Sequence, residues 1–527
     1  MTRWGIVADL NRCVGCQTCT AACKHANATS PGIQWRKVLD VETGAYPDVR
    51  RAFVPVGCMH CDDPPCLDVC PTTATGKRDD GIVTIDYDLC IGCAYCVVAC
   101  PYQARSRVDQ PAAAYGKMPM RHEARREDPR RIDVAQKCTL CVERIDFGMA
   151  NGLVPGVDPV ATPACVSTCI ADALHFGDLD DPDSNVSKLL VENRHFRMHE
   201  DLGTGPGFFY LWDKARDEDR PVEDAAMVAE PAGMAAVGPR LQQSWDWRAA
   251  ANFIFGGAGS GLFVASATAA LAGVAIALPA LMALALVGLG LFCVWLEIGR
   301  PWRFLHVYFH ARRSWMTREA IAALPFFGSG LAAVITGSVV LALVGAACGL
   351  AFLYCQARIL QAAKGIPAWR QRQIVPLMVA TGLTEGLALF AIHAAVAGVD
   401  GSILRPLALA LVALIGLRHL AWRSYRRGLG AQGAPTATFK VLDTSRVNLS
   451  LGQQLLPVGI LVASLVTGPL LPVLLAVTSL FVVASGWAFK YTLITQAAFN
   501  QGYAVERMPA RGAGDSAPGI KPGWTFS

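Results

Sequence analysis

Cys13, Cys16, Cys19 and Cys23 open a series of four cysteine tetrads, continued by Cys58, Cys61, Cys66, Cys70, by Cys90, Cys93, Cys96, Cys100 and by Cys138, Cys141, Cys165, Cys169. Together they take sixteen of the nineteen cysteines. The first and third read C-x2-C-x2-C-x3-C, the third running on into Pro101. The second is C-x2-C-x4-C-x3-C followed by Pro71, and the fourth is split into Cys138-x2-Cys141 and Cys165-x3-Cys169. Three closely spaced thiolates let one loop wrap the corners of an iron–sulfur cubane, while the fourth cysteine of the run reaches the neighbouring cluster. The spacing therefore predicts four [4Fe–4S] clusters with crossed ligands. Cys58, Cys61, Cys66 and Cys100 hold one, and Cys70, Cys90, Cys93 and Cys96 its neighbour. Pairing the first and fourth tetrads likewise gives Cys13, Cys16, Cys19 and Cys169, then Cys23, Cys138, Cys141 and Cys165. Structural zinc also takes four thiolates, but usually as two C-x2-C pairs. No tetrad lacks a cysteine, so a [3Fe–4S] centre is not favoured. A row of such centres implies electron transfer.

The elements that must position these residues divide sharply. The chain has 527 residues and is 53% hydrophobic, with mean hydropathy +0.34. Residues up to about Arg248 are polar and hold every tetrad, whereas Ala, Leu, Val and Gly dominate from Phe253 to Thr495. Cysteines at gaps of two and three residues are not the disulfide framework of a small secreted domain. Cys293, Cys348 and Cys355 lie in or beside apolar runs and read as packing residues. A span needs roughly 20 apolar residues. On that measure there are about eight, centred near Val264, Val287, Ala333, Ala351, Leu387, Leu411, Leu461 and Val482. The expected fold is an α+β, bacterial-ferredoxin-like cluster domain of two pseudo-symmetric two-cluster modules, then an all-α polytopic membrane domain. The expected boundaries are 1–215 for the cluster domain, 216–250 for a linker, 251–497 for the membrane domain and 498–527 for a loosely ordered cytoplasmic tail. Short strands are expected at 51–55 and 81–85.

Charge along the membrane part suggests an orientation, because cytoplasmic loops carry excess Lys and Arg. One basic loop holds Arg300, Arg303, Arg312, Arg313 and Arg318; a second Arg358, Lys364, Arg370 and Arg372; a third Arg418, Arg423, Arg426, Arg427, Lys440 and Arg446. The intervening loops are short, with Asp400 and Arg405 nearby. An even number of spans then puts the cluster domain in the cytoplasm, at a bacterial inner membrane. The opening MTRWGIVADLNRC shows no apolar export signal. The net charge of +5 is modest, and no nucleic-acid partner is expected. The mixed-charge run Lys117 to Lys137 reads as a solvated loop or a docking site for a partner.

CVGCQTCTAACK, CMHCDDPPCLDVCPTTAT, CIGCAYCVVACPYQAR and the split CTLC…CVSTC resemble the four-cluster subunit of dimethyl sulfoxide reductase-family molybdoenzymes. From Phe253 on, and most recognisably in EIGRPWRFLHVYFHARRSWMTRE, the chain resembles the membrane-anchor subunit of the same complexes. It looks like a fusion of two subunits that are usually separate. The resemblance implies a separate molybdopterin-containing catalytic subunit and exchange with quinone or quinol. With clusters and spans assigned, no stretch remains for a substrate-transforming domain.

The quinone pocket is expected at the cytoplasmic ends of the spans, where Glu297, Arg300, His306, His310, Trp315 and Glu319 gather after the second span. His or Glu can take a proton beside a quinone oxygen. Many anchors of the family have histidine at the position of Glu297, and Glu319 matches the family's acidic position better. Glu385 falls mid-span with His393 two turns on. Intramembrane ionisable groups invite a functional reading: a proton path or a buried interhelical hydrogen bond. No haem is expected, because His393 lies near the far face and His419 near the cytoplasmic one. The leading expectation is an electron-transfer and anchor subunit of a molybdenum oxidoreductase, with sulfite or phenylacetyl-CoA as its complex's substrate. The alternatives are a dimethyl sulfoxide-type reductase subunit, a redox-driven proton-translocating complex and a free-standing ferredoxin:quinone reductase.

Overall fold

The protein, described from a computed structural model, divides into two compact units: Met1–Arg240 with Asn500–Phe526, and Leu241–Phe499. The structure describes residues 2–43, 49–110, 128–214, 237–431, 434–444, 470–509 and 517–520, with isolated positions between. Most of the expected linker, the span centred on Leu461, and Arg446 lie outside the described residues.

The cluster unit is α+β, and its first strand is its centre. In β1 (Trp4–Asp9) the residues Trp4 to Ala8 are all buried, as a strand flanked on both sides must be. It pairs in parallel with β10 (Phe208–Lys214) and antiparallel with β8 (Leu174–Asp178), while β9 (Asn193–Phe196) completes the sheet on β10. This sheet ties residues before the first tetrad to residues just beyond the fourth, so the two ends of the cysteine series meet. Four two-stranded ribbons complete the strands: β2 (Arg36–Thr43) with β3 (Arg50–Gly57), β4 (Thr75–Lys77) with β5 (Val83–Ile85), β6 (Arg105–Arg107) with β7 (Ala135–Lys137), and β11 (Val505–Met508) with β12 (Ala517–Ile520). Short helices carry later cysteines of the tetrads: α1 (Thr18–Asn27), α2 (Pro65–Asp68), α3 (Tyr95–Ala99) and, after α4 (Val142–Ala150), α5 (Ala164–Ser167). A further helix, α6 (Asn185–Glu192), is capped by the Ser184 side chain.

Two features depart from expectation. Gly and Pro predict a loosely ordered tail, yet its described part belongs to the cluster unit. Tyr503, Val505, Met508 and Ile520 are buried in that unit's core, and Gln501 donates to the Pro101 carbonyl at 3.3 Å. Apolar residues between the Gly and Pro of this segment supply what composition alone conceals. The run ending at Lys137 is also not solvated at that end: Lys137 closes strand β7 fully buried.

The second unit is helical, and this is a multi-pass membrane protein. Seven described helices are long and apolar enough to cross a membrane. They are α7 (Trp247–Ala270), α8 (Ala277–Glu297), α9 (Trp315–Thr336), α10 (Val339–Ala362), α11 (Ile374–Val396), α12 (Gly401–Ala431) and α13 (Leu471–Thr495). The most enclosed are α7 and α11. They touch backbone to backbone: a Cβ on Gly261 would overlap the Gly382 carbonyl oxygen, and one on Gly386 the Gly261 carbonyl carbon. Small residues permit this approach, which gives lipid-embedded helices their packing energy. The 31 residues of α12 exceed a single span and absorb Arg418, Arg423, Arg426 and Arg427, which by charge alone belong to a loop. Arg418 is thereby a buried residue of the bundle.

Candidate metal centres and intramembrane polar groups

The four tetrads share a backbone device. The residue just before the second cysteine is left-handed in every one: Gly15 at φ 71°, His60 at 43°, Gly92 at 71° and Leu140 at 57°. The third residue after the last cysteine is left-handed in three: Thr73, Gln103 and Asp172. Such turns aim successive N–H groups inward and make concave anion sites of the kind that hold iron–sulfur centres. The N–H of Leu140 donates to Cys138 Sγ at 3.4 Å, that of Thr75 to Cys70 at 3.5 Å and that of Ala173 to Cys169 at 3.3 Å.

The thiols gather in four sets. One cavity is lined by Cys70, Cys90, Cys93 and Cys96, and another by Cys13, Cys16, Cys19 and Cys169. Cys23 lies in the field of Cys138, Cys141 and Cys165, and Cys61 in that of Cys58, Cys66 and Cys100. Each set draws one cysteine from a different tetrad than the other three. The sets neighbour one another in series: Cys19 meets Cys165, Cys138 meets Cys58, and Cys66 meets Cys96. Burial pushes the Cys66 and Cys96 thiols up to about 11, against a downward pull from Arg105. Burial raises Cys100 and Cys138 to about 12. At neutral pH such thiols give up their protons only to a metal, so loading the sites releases protons. Cys16 is exposed and is lowered by a hydrogen bond with Thr18. Four converging thiols around each centre, with inward N–H groups, fit a cubane cluster.

Three buried cations that the spacing gives no reason to single out lie among these sets: Arg36, Arg105 and Lys137.

In the membrane unit, Glu319 on α9 is buried and accepts from Asn252 Nδ2 of α7 at 3.3 Å. Gln356 of α10 lies near Glu319 and donates to the Asn252 carbonyl at 3.0 Å. Close by in the chain, the guanidinium carbons of Arg318 and Arg358 each lie 4.3 Å from the centroid of the Trp315 ring, with the Tyr354 ring edge-on. Glu297 is buried at the end of α8. Arg300, His306 and His310 lie in the connection that follows, where His306 stacks on Phe309 at 4.9 Å. This connection exposes Trp302, Phe304, Leu305 and Phe309 and is pinned to α9 by Thr317 Oγ1 donating to the Val307 carbonyl at 2.7 Å. Asn252 and Gln356 escape a reading of the sequence because they sit on other helices, and Arg358 is read there only as part of a basic loop.

Glu385 is fully buried, but its partner is not His393. Its Oε2 accepts from Lys490 Nζ at 2.6 Å, with both side chains wholly enclosed. Arg418 lies within electrostatic range of the carboxylate and donates weakly to Ser485 Oγ at 3.4 Å. The carboxylate rests against Gly486, where a Cβ would overlap Oε1. His393, half-buried, packs against Phe390 at 6.2 Å. Lys490 is detectable in the sequence as the one charged residue within the apolar stretch of the last span.

A family model described as a 4Fe-4S dicluster domain matches residues 49–125. A subunit of the selenate reductase of Mesobacillus selenatarsenatis is 40% identical over 225 residues, covering 40% of this chain and 72% of the relative. A subunit of the sulfite dehydrogenase of Allochromatium vinosum is 37% identical, covering 40% of this chain and 83% of the relative. A component of the polysulfide reductase of Wolinella succinogenes is 35% identical, covering 40% and 95%.

Proposed function

We infer, from the fact that this protein belongs to the family of iron–sulfur electron-transfer subunits of molybdoenzyme complexes, that it carries electrons between a separate molybdopterin-containing subunit and the membrane quinone pool. The observation that carries this reading is the series of four adjacent thiol sets in a polypeptide continuous with apolar helices. The sixteen tetrad cysteines hold four [4Fe–4S] clusters in the crossed arrangement, each passing one electron at a time when bound. The protein's own part is to hold those centres in sequence and to bury most of their ligands. The catalytic partner acts on a small oxyanion, the class that the names of the selenate reductase and sulfite dehydrogenase relatives share. The cluster unit faces the cytoplasm of a bacterial inner membrane, on the side of Arg300, Arg303, Arg312, Arg313, Lys364, Arg370 and Arg372.

Anaerobic purification of the full-length protein with whatever co-purifies, followed by iron and molybdenum analysis, tests this. Four clusters per polypeptide and a stoichiometric molybdenum subunit are expected. Four clusters without molybdenum would replace the reading with a free-standing ferredoxin:quinone reductase.

At the quinone end, Glu319 is the proton acceptor, held by Asn252. Its replacement, Glu319→Gln, keeps an acceptor for Asn252 and removes the ionisable group. Quinol-linked turnover should fall on the order of 100-fold, the usual contribution of a positioned acid or base. Cluster paramagnetic resonance should stay unchanged, and unchanged turnover would move the pocket elsewhere.

A further inference from the structure

Lys and Arg are almost never fully buried unless paired. Arg36, Arg105 and Lys137 are 1%, 5% and 0% exposed, and among the described residues none of the three forms an ion pair with a carboxylate. Each instead faces cysteines from two neighbouring thiol sets. Arg36, across the β2–β3 ribbon from Gly57, acts on Cys19 of the first set and on Cys165, Cys138 and Cys23 of the second. Lys137 acts on Cys138 of the second set and on Cys58 and Cys66 of the third. Its Nζ is fixed by the Val83 and Cys138 carbonyls. Arg105 donates from Nη2 to Cys66 Sγ of the third set at 3.0 Å and acts on Cys96 of the fourth. Its Nη1 is anchored on Thr75 Oγ1 at 3.0 Å. Three gaps separate four sets, and each gap holds one of these cations.

Arg36 shows what these charges await. Its Nε, Nη1 and Nη2 are all buried without an acceptor, while the Phe208 ring lies 4.9 Å from the guanidinium carbon. Burying unsatisfied charged donors costs more than a protein tolerates without compensation. The thiols that act on it belong to the first and second sets.

We propose that Arg36, Lys137 and Arg105 form a ladder of buried cations, one in each gap between successive clusters, that raises the reduction potentials of the two clusters it separates. Reduction adds a negative charge to a centre enclosed at low effective dielectric. A cation fixed beside it favours the reduced form, and hydrogen bonds to cluster sulfur act in the same direction. Arginine suits the outer gaps because its charge cannot be lost there and its fork can donate to two centres at once. The second and third sets each face two of these cations and the first and fourth one, so the middle of the relay is raised most. The ladder rests on the proposed ligand assignment.

The test is a redox titration of the full-length protein, followed by paramagnetic resonance, for Arg36→Gln and Arg105→Gln with iron content measured in parallel. Each variant should lower two of the four midpoint potentials by at least about 59 mV, a tenfold change in a one-electron equilibrium. The pair that moves in Arg36→Gln should be the pair that stays in Arg105→Gln. Lys137→Gln should lower one member of each pair. Four clusters with unmoved potentials overturn the ladder alone; fewer than four in the unaltered protein overturn the ligand assignment instead. Where a Gln variant loses a cluster, the matching Arg→Lys variant decides. Restored iron supports the charge, and loss in both overturns it.

Discussion

Cys100→Ala should abolish the same cluster as Cys61→Ala and leave intact the one lost in Cys93→Ala. Cys100 belongs by position to the tetrad that begins at Cys90, but its thiol lies among Cys66 and Cys58, whereas Cys93 lies among Cys96, Cys90 and Cys70. The separation follows from α3: Cys96 sits within the helix, facing the cavity of its own tetrad, while Cys100 caps its far end in extended backbone and turns away. Each variant should lose one cluster's worth of iron. The paramagnetic signals missing from Cys100→Ala and Cys61→Ala should coincide, and those missing from Cys93→Ala should differ. Because the sets neighbour one another in series, every one of these losses should also stop electron transfer to quinone, a complete rather than partial effect. A common missing signal in Cys100→Ala and Cys93→Ala would overturn the crossing and, with it, the order of the relay.

The grouping of the thiols is legible in the sequence because ligand spacing is a local property that a loop either permits or forbids. The two strands expected near 51–55 and 81–85 are equally local, and β3 and β5 fall on them. What escapes is set by distant neighbours. Nothing near Arg36 in sequence marks it as other than the start of an amphipathic strand; its burial follows from Phe208 and from cysteines over a hundred residues away. Lys137 stands at the end of a charged run, where the bland reading is solvent, and only its place between two thiol sets makes it a core residue. The tail misleads for a related reason. It is rich in Gly and Pro, but a few apolar residues suffice once the cluster unit offers them a place. In the membrane unit a long basic segment reads as a loop by charge alone. The α12 helix carries that charge past the span, so Arg418 enters the bundle while its basic neighbours farther along stay exposed or half-exposed.

That shift decides what Glu385 should do. A lone carboxylate in mid-span reads naturally as a proton carrier, and with only His393 in view a proton path and a structural bond have equal claim. A carboxylate salt-bridged at 2.6 Å to Lys490, with Arg418 near, is a counter-ion first. Removing it leaves cations unpaired in an enclosed bundle, which destabilises by about 3–5 kcal/mol where such buried pairs have been broken. Glu385→Gln should therefore lower the melting temperature of the detergent-solubilised protein steeply. Replacing both partners, Glu385→Gln with Lys490→Gln, should recover a large part of the loss, because the two residues interact directly and their effects cannot add. Quinol-linked turnover per folded molecule should change little in the double variant. The opposite pattern is a melting temperature unmoved by Glu385→Gln with proton-coupled turnover abolished. It would show that the carboxylate moves protons and that Lys490 serves to hold it in place for that purpose. The choice between a rigid bundle that positions quinone and one that conducts across the bilayer thus comes down to a single measured coupling between two side chains.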